Sequence, residues 1–500
     1  MSIQEVSGTP GKLDRYLNLI NGQRVSAVDG EWLESVDPAV GRPWAEIPLS
    51  DEEDVDAAVA AAKRAFSGPW SQLPAAGRGA LLRRLAELVT ENAERLALIE
   101  TRDNGRILSE TKNADIPGIV QMLHYYAGAA DKLHGETVEI GPNSFNYVRH
   151  KPLGVAGLIL PWNAPLAVMT GKTGAALAAG CTVVVKPPEA ASCSILAYAD
   201  LFAEAGFPDG VVNVVAGLGQ VVGDAIAGHP DIARISLTGS TATARAITRR
   251  SADAIKPLDF ELGGKSANIV FADADLDAAA IGATTASIYT GGAGQVCIAG
   301  SRVLVQRSIH DAFVEKMIAA SRDIRLGNPL DEMTQMGPIA YDRQFEKVCS
   351  YLDIAKKEGA ECVMGGRTGA AVIGEDSPFR EGYWIEPTLY TKVENSMRIA
   401  REEIFGPVAC VIPFDDDEEA IAIANDSDYG LACGVWTNQL KRAHRIADGV
   451  AVGAVWINAY RRMHWAVPFG GVKDSGYGRG GGMEGIYGYT YSKGVWVDLA

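Results

Sequence analysis

The chain has 500 residues, 47% of them apolar and 22% charged, with a formal net charge of −16. That is too long for one compact core and too apolar for a disordered chain, so two or three folded domains are expected. The acidic balance argues against nucleic acid and anionic membranes as partners, because both would repel it.

Taken in order, MSIQEVSGTPGKLDRYLN has no apolar core that would serve as a signal peptide. Ser50 reads as the N-cap of a helix in SDEEDVDAAVAAAKRAF, acidic in its first turn and finished before Pro69. The pattern over 76–103 predicts one long amphipathic helix closed by Asn104-Gly105. Between 131 and 150, ETVEI and SFNYVRH alternate like hairpin strands around Gly141-Pro142-Asn143, and the C-terminal YGYTYSKGVWVDLA alternates too. Neither ribbon is stable alone, so they are expected to pair with each other and with a second subunit, or else to extend a sheet edge. From 154 onward short apolar runs alternate with helices: GVAGLIL, a helix over 165–179 stopped by Gly180, TVVVKP, a helix over 192–205, VVNVV, a helix over 220–227, and ARISLTG. A second set of strands follows at 267–271, 302–306, 408–413, 432–436 and 454–457. Such alternation predicts two α/β domains, each a doubly wound parallel sheet.

The seven cysteines contain no C-x-x-C pair, which fits free thiols in a reducing, cytoplasmic compartment and offers neither a zinc site nor a disulfide framework. No run of apolar residues reaches the length of a membrane span.

Five short segments carry chemistry. GLGQVVG, opening at Gly217 and including Gly219, sits between a strand and a helix like a dinucleotide fingerprint. It has one residue too many and lacks the later acidic partner, so a plain strand-to-helix turn is the stronger reading. VVVKPPE puts Lys186 and Glu189 past a strand's carboxyl end, where they could hold ribose hydroxyls or simply be solvated. ELGGK puts Glu261 beside two glycines that leave room for close approach, and burial could tune it into a general base. GGAGQVC ends a small-residue loop on Cys297, a thiol with little around it to pack; Cys181 and Cys193 read as inert core. In LPWNAP, Asn163 is held between prolines, either as an oxyanion donor or as a turn residue.

Together with TGS at Thr238, the stretch from GQVC to Arg302, EEIFGPV at Glu402 and PFGGVKDSGYGR at Pro468, these segments resemble the aldehyde dehydrogenase superfamily, over nearly the whole chain and in family order. The resemblance implies a Rossmann-like cofactor domain (1–130 and 152–260), a catalytic domain (261–465) and a small β oligomerisation arm (131–151 and 481–500). It implies that Cys297 is the nucleophile, that Glu261 activates the deacylating water, and that Asn163 and the Cys297 backbone N–H form the oxyanion hole. NAD would be held by Trp162, Lys186, Glu189, Gly219, Gly239, Ser240, Gln344, Glu403 and Phe405, with NADP a weaker substitute because Glu189 would repel a 2′-phosphate. No metal is implied. The partners are a small aldehyde and other copies of the chain, in a homodimer or homotetramer.

Two departures stand out: Ala244 replaces the last glycine of GSTxxG, and Gly480 replaces a glutamate that could relay protons from the base. The competing readings are a CoA-acylating relative, disfavoured by Glu261, and a catalytically silent protein on the same fold, disfavoured by Cys297, Glu261 and Asn163 together. For the substrate, the family's tunnel would run between the helix after PWN, small at Ala164 and Gly171, and Tyr460-Arg461-Arg462-Met463-His464-Trp465. That suggests a bulky aldehyde, with a carboxylate if an arginine is free to pair with it; surface or intersubunit salt bridges are the plainer use of those arginines.

Overall fold

The computed structural model describes residues 13–500. Residues 1–12, on which most of the leader-peptide reading falls, lie outside the described residues. Two large sheets dominate. In the first, the strands Leu258–Glu261, Ile232–Thr238, Val155–Ile159, Thr182–Lys186 and Val212–Val214 lie side by side in that order, all parallel. Antiparallel strands close both edges: Gly476–Tyr477 beside Leu258–Glu261, and Asn18–Ile20 with Gln23–Val25 beyond Val212–Val214. The second sheet runs Glu361–Met364, Thr388–Thr391, Val408–Phe414, Arg302–Gln306, Ala267–Val270, Ala432–Trp436 and Ala454–Ile457, parallel except for its first pair. Every strand of the second set predicted from sequence is present in it.

These strands are β-branched and apolar because helices cover both faces. Val155–Ile159 and Thr182–Lys186 are buried at every position, and each such Val, Leu or Ile contributes about 1.5–3 kcal/mol of burial. The Pro165–Ala179 helix carries Pro in its first turn and ends on Gly180 at φ 98. It is Ala- and Gly-rich because it packs closely: a Cβ on Gly174 would stand 2.4 Å from the Tyr126 ring.

Three expectations change. The first helix, Glu52–Ser67, is capped by Asp51 in a reciprocal box with Asp54, while Ser50 is buried and accepts a hydrogen bond from Asn18 (2.8 Å). The predicted long helix is two, Ala75–Glu91 and Ala93–Asn104. Asn92 leaves helical geometry between them and turns its amide back onto the Leu88 carbonyl (2.9 Å). The helix expected over 220–227 begins as a π-helical turn, Gly219–Gly223, and continues as Asp224–Gly228.

Glu136–Val138, Ser144–Pro152 and Thr490–Asp498 form a separate antiparallel sheet, with Ser144 opposite Asp498 and Pro152 opposite Thr490. The two predicted ribbons thus pair with each other. A further small sheet of Asp14–Arg15, Trp32–Asp37 and Arg42–Pro48 was not legible in the sequence.

Candidate functional site

In chain order the five parallel strands of the first sheet occupy positions 5-4-1-2-3, so the winding reverses between Val155–Ile159 and Ile232–Thr238. Ligands of open α/β sheets bind beyond the carboxyl ends at such a reversal. Trp162-Asn163 follows the first of those strands, Gly239-Ser240 the second, Lys186 ends the next and Glu261 ends the outermost. Cys297, Gly263-Gly264 and Glu403-Phe405 instead precede the amino ends of strands in the second sheet.

The thiol is half-buried. Asn163 lies beside its loop: Nδ2 donates to the carbonyl of Gln295, two residues before Cys297, at 2.8 Å. Gln295 is itself buried and ties the loop down, donating to Gly292 (2.9 Å) and Pro338 (3.3 Å) and accepting from the Ala340 N–H (2.9 Å). The Cys297 thiol is pushed up to about 12, first by burial and then by the carboxylates of Glu261 and Glu403.

Glu261 Oε2 accepts from the Thr238 hydroxyl (2.8 Å) and lies 3.6 Å from Lys172 Nζ. Lys172 donates to Ser236 (2.6 Å), which donates to Asp259 (2.9 Å), and Asp259 is ion-paired to Arg234 (2.6 Å). The other oxygen, Oε1, fills the space at Gly480: a Cβ there would stand 2.4 Å from it. The missing glutamate at 480 therefore leaves room that the carboxylate of Glu261 occupies.

Glu403 is half-buried against the ELGGK turn. Its Oε1 accepts the Gly264 N–H at 2.9 Å, and a Cβ on Gly263 would meet the carboxylate at 2.3 Å, so only glycine permits this packing. Burial holds its carboxyl above the ordinary value. Phe405 adopts φ 60, a left-handed conformation that costs a side-chain-bearing residue about 1–3 kcal/mol. Gln344 holds it there: buried, its Nε2 donates to the carbonyls of Ile404 (3.0 Å) and Phe405 (2.8 Å). The Phe405 ring meets Trp162 edge-on at 5.2 Å, and Trp162 meets Tyr341 edge-on at 5.1 Å.

Some distance along the same edge, Lys186 is buried and pairs with Glu189 at 3.2 Å, leaving 38% of the Glu189 side chain exposed. Burial raises the Glu189 carboxyl, but the opposing pull of Lys186 and its hydrogen bonds leaves it below the ordinary value. A Cβ on Gly219 would have only the Glu189 carboxylate near it, at 3.8 Å. Leu218 and Val221 are exposed beside it. Ser240 is exposed and caps the Thr241–Arg250 helix, its Oγ accepting the Thr243 N–H at 3.1 Å; Ala244 is buried without disturbing that start.

Two groups of site residues thus form along one edge: Asn163, Glu261, Cys297, Glu403, Phe405 and Trp162 near the thiol, and Lys186, Glu189 and Gly219 farther along. Sequence reasoning passed over Lys172, Gln295, Asn104 and Arg106. A single charge in the otherwise neutral PLAVMTGKTGAALAAG was the available signal for Lys172. Asn104 reads, with Gly105, only as the close of a helix, and Arg106 carries no signal of its own.

The aldehyde dehydrogenase family model matches residues 25–495. An aldehyde dehydrogenase of Emericella nidulans is 42% identical over 490 residues, 98% of this chain and 96% of that protein. Among solved structures, the NAD+ complex of the Bacillus cereus aldehyde dehydrogenase superposes with a TM-score of 0.94 at 44% identity, covering 97% of each chain. An indole-3-acetaldehyde dehydrogenase in complex with NAD+ gives 0.95 at 41% identity, over 99% of this chain and 98% of that one.

Proposed function

The chain belongs to the aldehyde dehydrogenase family, and we propose that it oxidises a bulky aldehyde to the carboxylate through a covalent adduct on Cys297. It is an NAD-dependent aldehyde dehydrogenase. The observation that carries the mechanism is the Asn163 amide, which reaches the thiol loop at 2.8 Å.

The Cys297 thiol releases its proton to water and its sulfur adds to the carbonyl carbon. We assign the second hydrogen of Asn163 Nδ2, left over from its bond to the Gln295 carbonyl, and the Cys297 backbone N–H as the donors to the oxygen, now anionic. NAD, when bound, supplies the hydride acceptor. Loss of hydride leaves a thioester on Cys297, and Glu261 takes a proton from the water that hydrolyses it.

The residues at the far end of the edge fit NAD. Glu189 and Lys186 present a carboxylate and an ammonium to ribose hydroxyls, the exposed Leu218 and Val221 offer apolar faces to a flat base, and Ser240 and Gly239 open a helix N-terminus toward a pyrophosphate. Glu403 and Phe405, with Trp162, serve the nicotinamide end. Gln344 supports that end through the Ile404 and Phe405 carbonyls, and any ribose contact of its own falls to the rest of its amide. NAD is preferred over NADP because Glu189 would face a 2′-phosphate.

The same reading divides the chain into cofactor (1–130, 152–260), catalytic (261–465) and arm (131–151, 481–500) segments. The arm exposes Val138, Phe145 and Trp496, apolar groups suited to cover by another copy of the chain. The seven cysteines of the chain are free, which suits a cytoplasmic enzyme, and no helix among the described residues is long and apolar enough to cross a membrane. For the substrate, a Cβ on Gly171 would meet only Met122 Sδ, at 3.5 Å, which supports a roomy tunnel. Arg461 is paired with Glu110 (3.2 Å), whereas the Arg462 side chain is exposed, so Arg462 is the cation offered to a carboxylated aldehyde.

Reduction of NAD by a panel of aldehydes, with and without CoA, tests the reading. Cys297→Ala is expected to abolish turnover while NAD binding persists. Full activity in that variant, or strict dependence on CoA, refutes it.

A further inference from the structure

The Ala93–Asn104 helix ends on Gly105 in left-handed geometry, and the next residue, Arg106, turns inward to a position only 6% exposed. Its guanidinium is anchored on one side: Nε and Nη2 form a fork with Asp115 (3.0 Å each), and Nη2 lies 3.3 Å from Glu110. The remaining nitrogen, Nη1, points the other way and donates to the backbone carbonyl of Asn163 at 3.4 Å. Asn104 reinforces this from the preceding residue but one. Its Nδ2 donates to the Trp162 carbonyl (3.4 Å) while its Oδ1 accepts the Arg106 N–H (3.0 Å). Consecutive peptides of PWN are thus held from behind by one short segment.

The same ion pair meets the thiol loop. A Cβ on Gly292 would stand 3.3 Å from Arg106 Nη1, and a Cβ on Gly291 would stand 1.8 Å from Glu110 Oε2. The two glycines lie flat on the Arg106–Glu110 pair, five and six residues before Cys297. We propose that Arg106 is a positioning residue that seats the oxyanion amide of Asn163 and the Cys297 loop on one shared, buried ion pair. This rests on the reading of Asn163 as oxyanion donor.

What the ion pair supplies is preorganisation. A neutral amide stabilises a developing oxyanion well only if it is already aimed, and displacements near 1 Å cost on the order of a hundredfold in rate. The Asn163 side chain hangs from a peptide whose carbonyl would otherwise have no side-chain tether among the described residues. A guanidinium fork locked by two carboxylates provides a rigid one, and lysine, with a single nitrogen, cannot hold Asp115 and the Asn163 carbonyl in the same geometry.

The test is a double-mutant cycle on the holoenzyme, read as the rate constant of the NADH burst. Arg106→Lys and Asn163→Ala are each expected to slow the burst tenfold or more, with the NAD dissociation constant within twofold of wild type. Because the Cys297 loop rests on the same pair, part of the effect of Arg106→Lys persists without the Asn163 amide, but its slowing is expected to be at least threefold smaller in the Asn163→Ala background than in wild type. Should Arg106→Lys fold poorly, the isosteric Asp115→Asn loosens the fork and is expected to show the same non-additivity with a smaller slowing. Equal slowing by Arg106→Lys with and without Asn163, or a burst within twofold of wild type in Arg106→Lys, overturns the proposal. A fast burst in Asn163→Ala removes the oxyanion assignment itself, and the proposal with it.

Discussion

Replacing Glu261 with Gln should make Cys297 more reactive toward a small alkylating agent, even though the variant oxidises aldehydes more slowly. The thiol sits at about 12 against an ordinary 9.0, with burial the largest cause and Glu261 the next. A difference of three units is about 4 kcal/mol against the thiolate. At pH 8 it leaves a thiolate fraction of about 10⁻⁴, where an ordinary thiol of that kind has about 10⁻¹. Removing the Glu261 charge removes the second cause and leaves the first, so alkylation at pH 8 should rise roughly fivefold without approaching an ordinary thiol. The assay is inactivation by iodoacetamide from pH 6 to 10 without cofactor, with the modified residue identified by mass spectrometry. Wild type should show a rate still climbing at pH 10. A wild-type plateau below pH 9 would refute the raised thiol. An alkylation rate lower in Glu261→Gln than in wild type at every pH would show that the carboxylate deprotonates the resting thiol rather than opposing its ionisation.

Gly480→Ala would put a Cβ 2.4 Å from Glu261 Oε1, so the carboxylate must rotate; the NADH burst should survive while steady-state turnover falls about tenfold, and an unchanged steady state would show that the base works from another position. For the cofactor, kcat/KM should favour NAD over NADP by about tenfold or more, and Glu189→Gln should erase most of that preference; a wild-type ratio favouring NADP would overturn the reading. Glu100 is fully buried with its carboxyl raised to about 8, chiefly by burial. The folded state therefore keeps a proton that the unfolded chain releases near 4.5, so this contribution to stability is present below that pH and is lost as pH climbs toward 8. Melting temperature should fall with pH in wild type relative to Glu100→Gln, and parallel profiles would contradict the raised carboxyl.

Periodicity made the sheet strands legible because each is buried on both faces and must be apolar throughout. It could not separate Ala75–Glu91 from Ala93–Asn104, since the apolar stripe continues across Asn92 and only a side-chain bond to the Leu88 carbonyl marks the break. It also missed the sheet containing Trp32–Asp37 and Arg42–Pro48, where charged, half-exposed residues hide the alternation. At the site, Cys297, Glu261 and Asn163 stood out because each sits in a short segment of unusual composition. Arg106 and Lys172 did not, because what distinguishes them is burial beside partners far away in the chain. Gly480 was visible as a departure, but its meaning was not: the space it leaves is filled by Glu261, more than two hundred positions earlier.

The passage from the first sheet to the second has a kinetic consequence. Only 262–266 separate Glu261 from Ala267, and that stretch is pinned along its length: the Leu262 N–H bonds to Ser475 (3.0 Å), the Gly264 N–H to Glu403 (2.9 Å), and the Lys265 carbonyl to Arg302 (2.9 Å). Five residues span roughly 17 Å at full extension, and here they have no slack to release. A hinge motion in this link would first have to break those three hydrogen bonds, whereas the Glu261 carboxylate moves by side-chain rotation alone. Turnover should therefore respond less to substitutions that loosen 262–266 than to a single methyl added at Gly480 beside Glu261.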